Sequence, residues 1–312
     1  MIEAQNVSKK FGSHFAVNNV SFTVGPGERA AFLGRSGAGK TTLMNILSGF
    51  ISASDGRVTV NGIDMLKNPS KAKLGICYLP KNAPLYLHMT VEEHLKFVCG
   101  LRNVPNARRG EIMAMALERL AIQDRQTRLI KNLNLADRIR VTLAGALCTG
   151  AEVLMLDEPT AGLEPDDVAQ IRSIIHGFQK TLILASSNIQ EVTALADKVF
   201  IMHEGGIVAR DALVSFTQAA DSRKRVSVRL AAGRATGLAL LKNIDGVDTV
   251  ECTGSKEPGT YDYTVDTLYD VRARIFGAAA KAGIVLLGLK PMSVTLEDVF
   301  YQLTCETKGM AI

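Results

Sequence analysis

Tryptophan is absent from the 312 residues, so one common interfacial anchor is missing, although membrane contact is not thereby excluded. No window approaches 18 consecutive apolar residues, and a run such as "GIVLLGL" is far too short to cross a bilayer. The opening "MIEAQNVSKKF" has no apolar stretch of the kind a secretory signal needs. The five cysteines (Cys77, Cys99, Cys148, Cys252 and Cys305) never form a C-x-x-C pair. Zinc and a disulfide framework are therefore not expected, and a reducing cytosol is. Low-complexity runs and internal repeats are missing as well. Work at a membrane is expected to go through a partner.

Apolar residues make up 47% of the chain and charged ones 21%, a globular balance with enough apolar mass for a substantial core. The length suits one large domain plus a smaller one, or two of similar size. A net charge of +5 does not indicate a dedicated nucleic-acid binder; it fits an acidic ligand or an anionic membrane face equally well.

The pattern predicts strands in "IEAQNVSKKFG", "AVNNVSFTV", "RAAFL" and "GRVTVNG", with a helix in "TLMNILSGF". From about 88 to 147 the spacing turns helical, and Thr90 with Glu93 spells a capping box. Then strands and helices alternate from "VLMLD" to "ADKVFIM", the order of a largely parallel sheet covered by helices. A domain boundary is expected near Ser215, giving domains 1–215 and 216–312. The second reads β-α-β-β-α-β, the ferredoxin-like arrangement. Pro291 is expected to break the chain, and "SVTLEDVFYQLT" to form a last helix capped by Ser293 or Thr295. Arg223, Lys224 and Arg225 read as a solvated edge of the first C-terminal strand, with acidic lipid or a partner as the other reading.

"GRSGAGKTT" matches G-x-x-x-x-G-K-[ST] between a strand and a helix, the context in which that pattern carries meaning. Gly34, Arg35, Ser36, Gly37, Ala38, Gly39, Lys40, Thr41 and Thr42 are the candidate phosphate binders. Glycines let backbone N–H groups face the phosphates, and the helix start adds positive potential. Lys40 would reach the β- and γ-phosphates, and Thr41 would place its hydroxyl on Mg²⁺. "VLMLDE" supplies the acidic half: Asp157 as a Mg²⁺ ligand and Glu158 as the group that activates water. The other reading of Glu158 is a charge beside a helix, with no chemistry.

Together these motifs resemble the nucleotide-binding subunits of ATP-binding cassette (ABC) transporters. More narrowly, the chain is similar to the stand-alone ATPase subunits of ABC-2-type exporters, gliding-motility and sodium/drug-efflux relatives included. "NVSKKFG", "VNNVSF", "YLPKNAPLYLHMTVEEHL", "LDEPTAGLEP" and "ADKVFIMHEGGIV" stand in family order and spacing. The resemblance implies an α/β P-loop NTPase domain with a helical subdomain, followed by a small α+β ferredoxin-like domain. It also implies ATPase activity with ATP and Mg²⁺, and a peripheral place on the cytoplasmic face of the cell membrane. The partners implied are integral membrane permease subunits and a second cassette, so that a homodimer or heterodimer sandwiches two ATPs.

Against the family pattern the chain departs at several places. The signature, usually L-S-G-G-Q, falls on "LNLAD": Asn134 replaces the serine, Leu135 and Ala136 the glycines, and Asp137 the glutamine. Leu135 brings bulk where backbone must approach phosphate, and Asp137 adds negative charge unless a cation intervenes. Lys81 stands at the Q-loop position, where it cannot ligate Mg²⁺ through oxygen but can meet a phosphate. Asn188 stands for the switch histidine, and Glu164 for an aspartate. Phe11 lies where an aromatic residue stacks on adenine, with a core role as the alternative. The resemblance therefore implies a chain that binds ATP and hydrolyses it slowly. A nearly non-hydrolysing regulatory subunit paired with a consensus cassette is the alternative.

Overall fold

The computed structural model describes residues 1–82, 84–212, 224–254, 259–267, 269–292 and 300–301. The chain divides into two compact units, Met1–Leu213 and Val214–Ile312.

In the first unit a six-stranded sheet runs in the order β10-β9-β3-β8-β7-β6. These are Gly206–Ala212, Lys198–His203, Arg29–Leu33, Thr181–Ser186, Val153–Asp157 and Ile76–Leu79. Strands β9, β3, β8, β7 and β6 pair in parallel, and β10 closes one edge antiparallel. Every residue of β7 and β8 is buried, which is why Val153–Leu156 and Leu182–Ala185 within them read as apolar runs rather than alternating ones. A second, antiparallel sheet has the order β2-β1-β4-β5, from His14–Val24, Ile2–Phe11, Asp55–Val60 and Ile63–Asp64.

Helix α1 (Lys40–Leu47) and both sheets contribute to one core. Phe22 of β2, Phe32 of β3 and Phe200 of β9 meet there with ring centroids 4.9–5.4 Å apart. Each such fully buried side chain stabilises the fold by about 1.5–3 kcal/mol. That packing holds the strand end and helix start between which the phosphate loop hangs.

A short α2 (Pro69–Leu74) precedes β6, and then α3 (Val91–Leu101), α4 (Asn106–Arg119) and α5 (Leu135–Cys148) form the helical part. The capping box is present: the Glu93 N–H donates to Thr90 Oγ1 at 3.2 Å, and the Thr90 N–H to Glu93 Oε2 at 2.8 Å. Helices α6 (Pro165–His176) and α7 (Ile189–Leu195) follow β7 and β8. No helix among the described residues is long and apolar enough to cross a membrane.

The second unit is a four-stranded antiparallel sheet in the order β12-β13-β11-β14: Val247–Gly254, Tyr261–Thr267, Lys224–Ala231 and Val285–Met292. Helices α8 (Arg234–Lys242) and α9 (Arg272–Lys281) complete the β-α-β-β-α-β order, and the core gathers around Tyr263, Val228 and Ile275. Two expectations are corrected here. Strand β11 is central, not an edge. Its Arg225 faces Asp266 across the ladder with Nε–Oδ1 at 2.6 Å, so that charge is consumed by a cross-strand pair. Pro291 does not break the chain before β14 ends; it pairs opposite Val226 within that strand. Strand β14 is an edge, where a missing N–H costs no ladder bond. Ser293, Thr295, Arg223 and most of the expected last helix lie outside the described residues.

Candidate functional site

The phosphate loop leaves β3 at Leu33 and enters α1 at Lys40. Two of its glycines are required by space. A Cβ on Gly39 would lie 2.2 Å from the Ala16 carbonyl oxygen, and its φ of +97° already disfavours any side chain. A Cβ on Gly34 would meet the Met202 oxygen at 2.7 Å and Ala38 Cβ at 2.9 Å. Helix α1 has no side-chain cap and no acidic residue in its first turn, which leaves its leading amides and their positive potential for an anion. Arg35, Ser36, Gly37 and Thr41 are exposed along this loop, Gly39 and Thr42 are half-buried, and Ala38 is buried.

Lys40 is 6% exposed and folds back over the loop. Its Nζ donates to the Gly34 carbonyl at 2.7 Å and the Arg35 carbonyl at 3.1 Å, and stands 3.8 Å from Glu158 Oε1. Burial pulls its pKa down from the usual lysine value, and Glu158 and Asp157 oppose that shift.

Asp157 ends β7 with 1% exposure, and apart from the neighbouring Thr41 hydroxyl, which does not reach full hydrogen-bond geometry, its two carboxylate oxygens have no partner. Burial pushes its pKa up, and the neighbouring Thr41 hydroxyl works the other way. A buried carboxylate so poorly partnered is costly unless a cation completes it. The residues fit Mg²⁺, which takes one or two protein oxygens and fills its remaining positions with phosphate and water. No cluster of three or more His, Cys, Asp or Glu exists among the described residues, so a cage made wholly of protein ligands is not what this site offers.

Glu158 has a left-handed backbone, φ +49°, a conformation that costs a non-glycine residue about 1–3 kcal/mol. Its N–H is held by the Ala185 carbonyl at 2.8 Å, and its Oε1 accepts from the Ser187 N–H at 2.9 Å. Strand β8 thus fixes the backbone, and the residue that follows it fixes the carboxylate. The residue touching Glu158 from the switch segment is Ser187, which sequence reasoning missed. Asn188, the expected sensor, caps α7: its Oδ1 accepts from the Glu191 N–H at 3.2 Å. The physical reason is local, since a seven-residue helix needs a cap and Asn supplies one.

Behind Glu158 lies a buried carboxylate. Glu191 is 1% exposed and accepts the Ser186 and Thr160 hydroxyls, each at 2.5 Å. Lys81 lines a cavity of about 470 Å³ together with Asp157, Glu158, Leu135 and Arg138.

The signature segment sits at the start of α5. Asn134 is its N-cap, with Oδ1 accepting from the Asp137 N–H at 2.8 Å. Leu135 is 48% exposed and lies against Gly162, where a built Cβ would stand 3.5 Å from Leu135 Cδ2. Asp137 is paired with Arg125 Nε at 2.9 Å, so the cation needed to offset its charge is present, twelve residues upstream. Glu164 is the residue before α6 and makes no side-chain cap. Phe11 ends β1 as an exposed ring, with Lys9 Nζ 5.3 Å from its centroid.

The family model described as ABC transporter matches residues 17–161. The lipopolysaccharide export system ATP-binding protein LptB of Haemophilus influenzae is 31% identical over 67% of this chain and 89% of its own length. The chain belongs to the ABC transporter ATP-binding family. It is an ATP-binding subunit of that family, and the family's enzymes are ATPases. A probable ABC transporter ATP-binding protein of Azorhizobium caulinodans is 29% identical over 72% of this chain and 81% of its own. The solved structure of an ATP-binding subunit of an ABC transporter covers 70% of this cassette-bearing chain and 92% of its own, at 21% identity and a TM-score of 0.65.

Proposed function

We propose that this cassette is the ATP-binding subunit of an ABC-2-type transporter that binds ATP well and turns it over slowly. The observation that carries this reading is the contrast between the two halves of the site. The phosphate loop, Thr41, Asp157 and Glu158 are chemically complete. On the γ-phosphate side, Asn134 and Asn188 cap their own helices through Oδ1 and bring a phosphate only a neutral amide NH2, and Leu135 carries bulk where glycine is usual.

In this reading Gly34 to Thr42 cradle the phosphates, and Phe11 meets the adenine. Thr41 and Asp157 would hold Mg²⁺, which when bound polarises the phosphoryl oxygens. Glu158 accepts a proton from the attacking water, aimed by Ser187 and by its strained backbone. Loss of one positioned transition-state contact costs roughly 10²–10³ in rate, and several are altered here. Closure onto a second cassette would be passed to membrane subunits at the cytoplasmic face. The cavity of about 450 Å³ lined by Tyr86, His94, Phe97 and Leu101 is the receiving groove.

The alternative is a nearly non-hydrolysing regulatory subunit paired with a consensus cassette, favoured by the same two asparagine caps. Single-turnover ATPase assays on purified wild-type and Glu158→Gln chain decide between them. A transport ATPase loses its measurable turnover in the variant. A regulatory subunit binds ATP, shows no phosphate release above buffer, and is unchanged by the substitution.

A further inference from the structure

The cavity beside Glu158 is lined by an ammonium group that the phosphate-loop pattern does not supply. Lys81 shares that cavity with Asp157 and Glu158. It is exposed and has no hydrogen bond or ion pair among the described residues. Its charge is nonetheless felt at Asp157 and at Lys40, which puts it within electrostatic reach of both.

The two other cations nearby, Lys40 and Arg138, are already engaged. Lys40 Nζ donates to two loop carbonyls and faces Glu158 at 3.8 Å. A metal-free nucleotide on the phosphate loop would meet two carboxylates, with Lys40 partly committed and Arg138, the cavity's other cation, donating to the Lys131 carbonyl at 2.9 Å. Lys81 changes this balance. Its four-carbon stem is flexible, its ammonium carries three donors, and a donor meets a phosphate oxygen directly. A carboxylate at the same position would approach phosphate only through a metal ion, and a neutral amide would bring a donor but no charge.

We propose that Lys81 is a phosphate-binding residue that takes over part of the divalent cation's charge. This chain therefore holds a nucleoside triphosphate with little dependence on Mg²⁺. The inference rests on the reading of this site as the nucleotide site. Its consequence is specific: dimer closure on ATP survives metal depletion, whereas hydrolysis, which needs the ion at Asp157, does not.

The test is titration of the full chain with a fluorescent ATP analogue (mant-ATP), in excess Mg²⁺ and again in EDTA. Wild type, Lys81→Gln and Lys40→Ala are compared, with thermal unfolding as a fold check. A hydrogen bond to a charged group is worth about tenfold or more in affinity. Wild type should therefore weaken less than about tenfold on metal removal, and Lys81→Gln about tenfold more than that. Equal Mg²⁺ dependence in the two proteins overturns the proposal while leaving the nucleotide site intact, provided Lys40→Ala loses binding. If wild type binds in neither buffer, or Lys40→Ala binds like wild type, the nucleotide reading itself fails and this inference falls with it.

Discussion

The Thr160 hydroxyl donates to Glu191 Oε1 at 2.5 Å, tying the segment after β7 to the first turn of α7. The other oxygen of the same carboxylate takes the Ser186 hydroxyl, one residue before the Ser187 N–H that holds Glu158. Glu191 is thus the clamp behind the acidic residue, out of reach of solvent. Replacing it by alanine strands two buried hydroxyls and opens a cavity, at a cost of about 2–4 kcal/mol. Glu191→Gln keeps the shape and one acceptor and should lose about 1 kcal/mol. Denaturant midpoints of the two variants check the ranking. In turnover assays both should lower kcat more than ATP affinity, since the clamp aims Glu158 and does not touch the phosphate loop.

Gly39 and Gly37 separate two kinds of glycine requirement within six residues of loop. Both have positive φ, +97° and +86°, but only Gly39 lacks room, with the Ala16 oxygen 2.2 Å from where a Cβ would stand. Nothing lies within 4 Å of a Cβ on Gly37. Gly37→Ala should therefore cost only the left-handed penalty of about 1–2 kcal/mol. Gly39→Ala should cost more and displace the start of α1 from Ala16. Thermal unfolding of the two nucleotide-free variants measures the difference, and equal midpoints would show that the β1–β2 hairpin yields freely.

The site's acidic residue trades stability for function. Burial raises the pKa of Asp157 against the opposing pull of Thr41, so the native state binds its proton more tightly than the unfolded chain does. Stability then falls as pH rises above the ordinary aspartate value of about 3.9, through the raised native value. Asp157→Asn removes the buried charge and should stabilise the metal-free protein by about 1–3 kcal/mol at neutral pH. The gain should shrink as the pH is lowered into the carboxylate range. The same variant should lose Mg²⁺-stimulated hydrolysis. Paired denaturation curves across that pH span give the sign directly.

Much of this was legible in the residues, and the exceptions have local physical causes. The phosphate loop and β7 stand out because glycine spacing and an unbroken apolar run each have few other uses. The order of the second unit followed from strand and helix periodicity alone. The capping role of Asn188 was hidden because a polar residue after a buried strand suits a sensor and a helix cap equally, and the fold shows the cap, made through Oδ1 alone. The charge of Asp137 looked unbalanced because its partner, Arg125, sits across a turn that pattern reading does not close. Arg225 looked like a surface charge because no periodicity reveals which strand of a sheet is central.

His94 gives a pH response of the opposite sign to Asp157. It lies on α3 with 6% exposure and an unpartnered Nδ1, and burial lowers its pKa from the usual histidine value. The unfolded chain takes up this proton near pH 6.5 while the folded one resists it. The folded state is therefore favoured above that pH and loses stability as the pH falls towards the lowered native value. Tyr86 and Phe97, stacked edge to face at 5.0 Å, share its wall of the groove, and no acidic side chain lines that cavity to rescue the charge. His94→Gln keeps a polar side chain that does not titrate. Its stability should change less than that of wild type between pH 7 and pH 5, with Cys99 reactivity towards a thiol reagent reporting opening of α3. Parallel pH curves for the two proteins would show that His94 is charged in the fold and that the groove is wetter than its lining implies.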